Sequence, residues 1–218
     1  MARLNQPTGE QCFWCAGEKD TLLSKLLIEA APILQNLKPA ILVRISGCTC
    51  MDENRQDHLF CRHQHEIVRT LGLEHRILDQ SETSVLVLFY ARTLLMQTIT
   101  APESRALLGA LGYSYDQNLE GLLSMLEHRF QDYKKRFPHE VGLFLGYPFK
   151  DVIGFIRGQE PATIKHPTAW KVFDDPGPSL ALMARIHAAR EQFRKQLEHE
   201  PDVERFCLHF LQQRERAS

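Results

Sequence analysis

Clustered positive charge is the first thing this sequence lacks. Its 26 Lys and Arg stand against 27 Asp and Glu, a formal net charge of −1, and beyond short helix ends such as Lys134-Lys135-Arg136 no basic stripe appears. Phosphate recognition needs clustered cations, so nucleic acid is not an expected partner. Long apolar runs are missing too. No uncharged stretch approaches the ~18 residues that cross a bilayer, and the first ten residues contain no apolar h-region. Neither a membrane span nor a secretory leader is expected, and the protein reads as soluble and cytoplasmic. Internal repeats and low-complexity tracts are also absent. The 218 residues suffice for one domain with a sizeable core: an N-terminal extension over 1–19, an α+β core over 20–175 and C-terminal helices over 176–218.

Asp20 can cap a first helix carrying Leu22, Leu23, Leu26, Leu27 and Ala30 on one face, with Pro32 limiting it. Ala40 to Ser46 is short, β-branched and bounded by Pro39 and Gly47, the pattern of a buried strand. From Gly47 to Arg62 the composition turns polar and reads as a loop or a small ion-binding module. A helix over Gln64 to Leu71 precedes two strands, His75 to Asp79 and Ser84 to Tyr90, close enough to form a hairpin. Thr100-Ala-Pro-Glu103 has capping-box spacing, and Gly112 is a plausible stop. The spacing of Leu119, Leu122, Leu123, Leu126, Phe130 and Tyr133 predicts a long helix from about Asp116 to Arg136. Ala169 to Phe173 reads as a last strand. Two terminal helices complete the chain, one with Leu182, Met183, Ile186, Phe193 and Leu197, the other with Val203, Phe206, Cys207, Phe210 and Leu211 on one stripe. The order fits an α+β fold, a small sheet of three to four strands covered by helices, with a C-terminal helical pair.

Residues Phe137 to Arg157 mix glycine, proline, aromatic rings and a few polar groups in a way that neither a core helix nor a solvated loop requires. The mixture suggests close backbone approach and an aromatic, sparsely polar surface. Pro148 can start a short helix running to Ile156. Gly154 then falls inside that helix, where glycine costs roughly 1 kcal/mol relative to alanine, so something must pack against that turn. Tight packing on the long helix is the structural explanation for Gly142, Gly146 and Gly154; a bound ligand is the functional one. His139 and Glu140 invite comparison with zinc proteases, but residue 143 is Leu, so the second histidine of His-Glu-x-x-His is missing and that motif is excluded. His139, Glu140, Gly146, Tyr147, Asp151 and Gly154, joined by the later Trp170 and Lys171, are the candidate ligand-binding residues.

Phe-Pro-His-Glu-Val-Gly142, Phe144-Leu-Gly-Tyr-Pro148, Asp151-Val152, Gly154-Phe-Ile156 and Trp170-Lys-Val-Phe173 together resemble an uncharacterised family of unknown function found mainly in anaerobic bacteria, the similarity running from about Leu22 to about Leu197. The resemblance implies an association with iron, haem or redox metabolism and with flavodoxin-type redox-protein partners. One departure stands out: the family pattern has His-Cys-Ala-Pro near the end of the first helix, whereas this chain has Glu29-Ala30-Ala31-Pro32.

A second Cys-x-x-Cys is absent. Cys12 and Cys15 form the one such pair, Cys48 and Cys50 a Cys-x-Cys pair, and Cys61, His63 and His65 a further group. In a cytoplasmic protein these are thiols or metal ligands rather than disulfides. Zinc can be met from this set, and an iron-sulfur cluster from the five thiols, though the spacing matches no standard ribbon or finger. Haem enters as a cofactor only through the resemblance.

The leading expectation is a protein that binds a small ligand or cofactor beside residues 137–157. Metal or thiol-redox chemistry at the cysteines, and a non-enzymatic interaction module, are the alternatives.

Overall fold

The computed structural model describes residues 19–46, 59–81, 84–114, 118–132, 137–164, 167–200 and 202–217. Three strands, β1 (Ala40–Ser46), β2 (Glu74–Gln80) and β3 (Ser84–Tyr90), form an antiparallel sheet in the order β1-β3-β2. All seven residues of β3 are buried, because a central strand covered on both faces has no side to leave polar; Ser-Val-Leu-Val-Leu-Phe-Tyr meets that demand. β1 pairs with it from Ala40 opposite Tyr90 to Ser46 opposite Ser84. β2 pairs from Glu74 opposite Tyr90, with a register shift between Ile77 and Asp79.

Alternation along the strands splits the core in two. Ile41, Val43, Ile45, Val85, Val87 and Phe89 pack on one face against α1 (Lys19–Leu34), α2 (Leu59–Leu71), α8 (Gly177–His199) and α9 (Val203–Ala217). Ala40, Leu78, Leu86, Leu88 and Tyr90 pack on the other against α3 (Arg92–Thr100), α4 (Pro102–Ala110), α5 (Leu119–Gln131), α6 (Val141–Phe144) and α7 (Phe149–Ile156). The fold is therefore α+β, a three-stranded sheet between two helical layers. Among the described residues, no helix is long and apolar enough to cross a membrane.

The α9 stripe docks inside the chain. Phe206 and Phe210 meet Phe193 of α8 edge-on at 5.5 and 5.0 Å between ring centres, and Val203 and Cys207 are buried in the same core.

Several expectations need correction. No strand forms over Ala169 to Phe173: Trp170 Nε1 and Phe173 N–H donate to Asp151, the carbonyls of Trp170 and Phe173 accept from Thr168 Oγ1 and Lys150 Nζ, and one backbone bond runs from Ala162 N–H to Val172 O. Leu59 to Arg62, read as loop, open α2, since Phe60 supplies a fully buried anchor one turn before Gln64. The Thr100 capping box does not form; its hydroxyl bonds back to Met96 O, and α4 starts at Pro102 without a side-chain cap. The long helix spans Leu119 to Gln131, with Asn118 as its cap; residues 115–117 and 133–136 lie outside the described residues.

The α1–β1 connection is closed tightly by backbone bonds. Pro32 lies in the last turn of α1, Asn36 takes the left-handed conformation (φ 56°) that ends the helix, and the N–H groups of Leu37 and Lys38 both bond to Pro32 O. Lys38 is thus fixed at the entrance to the edge strand β1.

Candidate functional site

The segment after α5 folds as two short helices joined by a sharp turn. Gly146 has φ 71°, and a Cβ there would stand 2.3 Å from Pro39 Cδ. The turn is therefore pressed against the residue next to Lys38, and only glycine fits. Gly142 and Gly154 serve close packing as well: a Cβ on the first would lie 2.9 Å from Val152 Cγ2, one on the second 2.6 Å from Phe173 Cγ.

Two acidic residues hold the segment down. Glu140 is buried and turns to α5, where Arg129 Nε lies 2.6 Å from its Oε1 and the Tyr113 hydroxyl donates to the same oxygen at 3.2 Å. Asp151 is 2% exposed and accepts from Lys150 Nζ (2.8 Å) and Phe173 N–H (2.9 Å) at Oδ1, and from Trp170 Nε1 (2.9 Å) and Ser179 Oγ (2.6 Å) at Oδ2. Burial pushes its carboxyl up, but Lys150, Ser179, the Phe173 N–H and Trp170 together hold it below the ordinary carboxylate range. With all its oxygens engaged, Asp151 works as a bracket joining α7, the 170–173 segment and α8.

That bracket sets Trp170 flat on Tyr147, 4.4 Å between ring centres and 18° between planes. The stacked pair walls a cleft of about 470 Å³, lined by both helical layers and by the edge strand β1. His139, Tyr147, Asp151, Trp170 and Lys171 all line it, with Phe137 and Phe155. His139 meets Phe155 edge-on at 4.6 Å and Phe137 at 6.3 Å. Phe137 and Phe155 are 50% and 36% exposed, large rings left open at the mouth of a concavity. Glu140, Gly146 and Gly154 are not among the lining residues; they build the wall from behind.

Three charged groups on this surface, Glu29, Lys38 and Arg190, were not anticipated from sequence. Arg190 Nη2 of α8 pairs with Glu29 Oε2 of α1 at 2.6 Å, while its Nε is buried without a hydrogen-bond partner. Lys38 is 8% exposed, and its ammonium lies 5.0 Å from the centre of the Tyr147 ring. No hydrogen bond or ion pair among the described residues engages that ammonium. Burial, then the neighbouring Arg190 charge, lower its pKa from 10.5 to about 8 against the opposing pull of Glu29. Burial likewise raises the Tyr147 hydroxyl, which Arg190 partly counters. A lysine directly before a buried strand, flanked by Leu37 and Pro39, is the trace of Lys38 in the sequence. Arg190 leaves none, being one basic residue among many on a long helix.

Cys12, Cys15, Cys48 and Cys50 lie outside the described residues. Cys61 is a half-buried cysteine of α2, not joined in a disulfide, beside the apolar core. On the same helix His63 pairs with Glu66 at 3.5 Å, and His65 is exposed. Among the described residues no group of three His, Cys, Asp or Glu is placed to hold a metal ion.

No curated protein and no solved structure matches the chain. A family model described as "Protein of unknown function (DUF3793)" matches residues 26–207, which takes in the sheet, the cleft and most of both helical layers, and the chain belongs to that family.

Proposed function

We propose that this protein binds a small, planar organic molecule in the cleft, with an oxygen-bearing end of the ligand turned toward Lys38. The observation that carries the reading is the pairing of exposed rings with a buried, unpaired cation. Phe137, His139 and Phe155 present edges and faces at the mouth, and Tyr147 and Trp170 form a stacked wall. Exposing such rings costs free energy that a bound apolar body recovers. The charge balance favours an electronegative group: three cations, Lys38, Lys171 and Arg190, face two carboxylates, Glu29 and Asp151, of which Asp151 is already saturated by donors. Ligand sites combine an apolar lining with few convergent polar groups in this way.

Benzyl alcohol, a planar ring with one oxygen, is a suitable probe. In amide NMR titration its shifts should centre on residues 38–42, 139–155 and 170–171, and Phe155→Ala should weaken binding at least about threefold, the loss of part of one aromatic contact. Shifts confined to another surface, or none at millimolar probe, would overturn the reading.

A further inference from the structure

We infer that the Lys38 side chain is a nucleophilic amine that condenses with the carbonyl group of an aldehyde or ketone held in the cleft, forming an imine. The inference rests on the ligand-binding reading above and adds the reacting atom and the chemical class of the ligand.

Position comes first. Lys38 is anchored at its backbone by the bond to Pro32 O, and its neighbour Pro39 is clamped against Gly146. The backbone is fixed just where the side chain enters the cleft, so the amine is delivered to the cleft from a set point beside the Tyr147 ring. The surroundings of the amine come second. A lysine kept for structure ordinarily ends in a carboxylate or in carbonyl oxygens, since a buried ammonium left without partners is costly. Lys38 has neither; it borders the cleft, with the Tyr147 ring beside it and the Arg190 guanidinium close enough to act on its charge. Glu29, the nearest carboxylate to influence it, is already paired with Arg190. Desolvation and a cationic neighbour are the two conditions that make a lysine amine nucleophilic near neutral pH. The lowered pKa of about 8 is their consequence.

The step balances without a further reactant. The neutral amine attacks the carbonyl carbon, one N–C bond forms, and the carbonyl π electrons move to oxygen. Proton transfer from nitrogen to that oxygen gives the carbinolamine, and loss of its hydroxyl with a second proton releases one water and leaves C=N. No electron is gained or lost, and hydrolysis returns the starting amine. The planar imine carries its substituent into the space bounded by Tyr147, Trp170 and Phe155.

Benzaldehyde tests the proposal on the intact protein, with sodium cyanoborohydride present to reduce any imine to a stable benzylamine, and peptide mass spectrometry locating it. At pH 7.5 the fraction of free amine at a lysine of lowered pKa far exceeds that at an ordinary one, so Lys38 should be labelled at least about tenfold faster than any exposed lysine. The rate should reach half its maximum near pH 8, and benzyl alcohol should slow it by competition. Lys38→Met should abolish the fast phase, leaving only the slow labelling of exposed lysines. If benzyl alcohol occupies the cleft but Lys38 reacts no faster than surface lysines, the imine proposal fails and the binding reading survives. If benzyl alcohol does not bind and Lys38 is not labelled, both fail. The wild-type pH profile alone decides the matter should Lys38→Met not fold, because a half-maximum above pH 10 overturns the proposal.

Discussion

The ammonium of Lys38 stands 5.0 Å from the centre of the Tyr147 ring, a contact between residues more than a hundred positions apart that depends on Gly146 lying against Pro39. The glycine sits one residue before the ring and the proline one residue after the lysine, so a single backbone contact brings the two functional side chains together.

Removing Lys38 should stabilise the protein at neutral pH. Its pKa falls from 10.5 unfolded to about 8 folded, so between those values the unfolded chain holds a proton that the folded chain has released, and stability rises with pH. Below pH 8 the amine is charged in both states and the folded protein bears the full cost of burying it. Glu29 from α1 and Arg190 from α8 are the charges that act on it, and the Tyr147 ring beside α7 lies against it; His139, Asp151 and Lys171 are the other titratable groups of the cleft. Urea unfolding should show wild type approaching Lys38→Met between pH 8 and 10.5, with a difference of up to about 3 kcal/mol at pH 7. A constant difference across that range would refute this account.

Asp151→Ala strips one acceptor from four donors and leaves Lys150 without its partner carboxylate. A loss of about 3–5 kcal/mol is expected, the range for breaking a buried charged network. Because the folded pKa is depressed, this stability is complete above the ordinary carboxylate range and declines as acid protonates the folded carboxyl. The variant's acid-unfolding curve should therefore be shallower than that of wild type. In a Trp14→Phe background, where Trp170 alone reports, emission should shift to the red.

Gly146→Ala combines a positive φ with a Cβ placed 2.3 Å from Pro39 Cδ. About 2–4 kcal/mol of destabilisation is expected from the left-handed conformation and the overpacking together, and benzyl alcohol affinity should fall with it. Gly158→Ala, also at positive φ but with open space around it, should cost only the conformational part, about 1–2 kcal/mol.

On α9 two apolar residues should behave oppositely. Phe206→Asp places a carboxylate between Phe193 and Phe210 and should cost about 2–3 kcal/mol in a thermal melt. Leu208, 60% exposed, should accept Asp within about 0.5 kcal/mol. Equal effects at both sites would mean that the stripe is not what docks the helix.

Much of the architecture was legible because it rests on local composition and spacing. The short, β-branched stretch of Ala40 to Ser46 between Pro39 and Gly47, the apolar run of Val85 to Tyr90 and the 3.6-residue spacing of Val203 to Leu211 each satisfy a local rule that burial then uses. Ala169 to Phe173 failed because its strand-like composition serves a side-chain acceptor, Asp151, which no local pattern reveals.

Sequence determined the material of the cleft: the rings, glycines and prolines of residues 137–157, whose composition signals close packing and an aromatic surface without any partner specified. Tertiary structure decided the chemistry. Asp151 became a saturated bracket and Glu140 the buried partner of Arg129, both spent on holding the wall, while Lys38, unremarkable between Leu37 and Pro39, lies beside Tyr147 and within reach of the Arg190 charge. A lysine's pKa depends on the water and charges removed from or brought to its ammonium, and here the cationic neighbour Arg190 and the covering ring of Tyr147 come from elements over a hundred residues away in the chain.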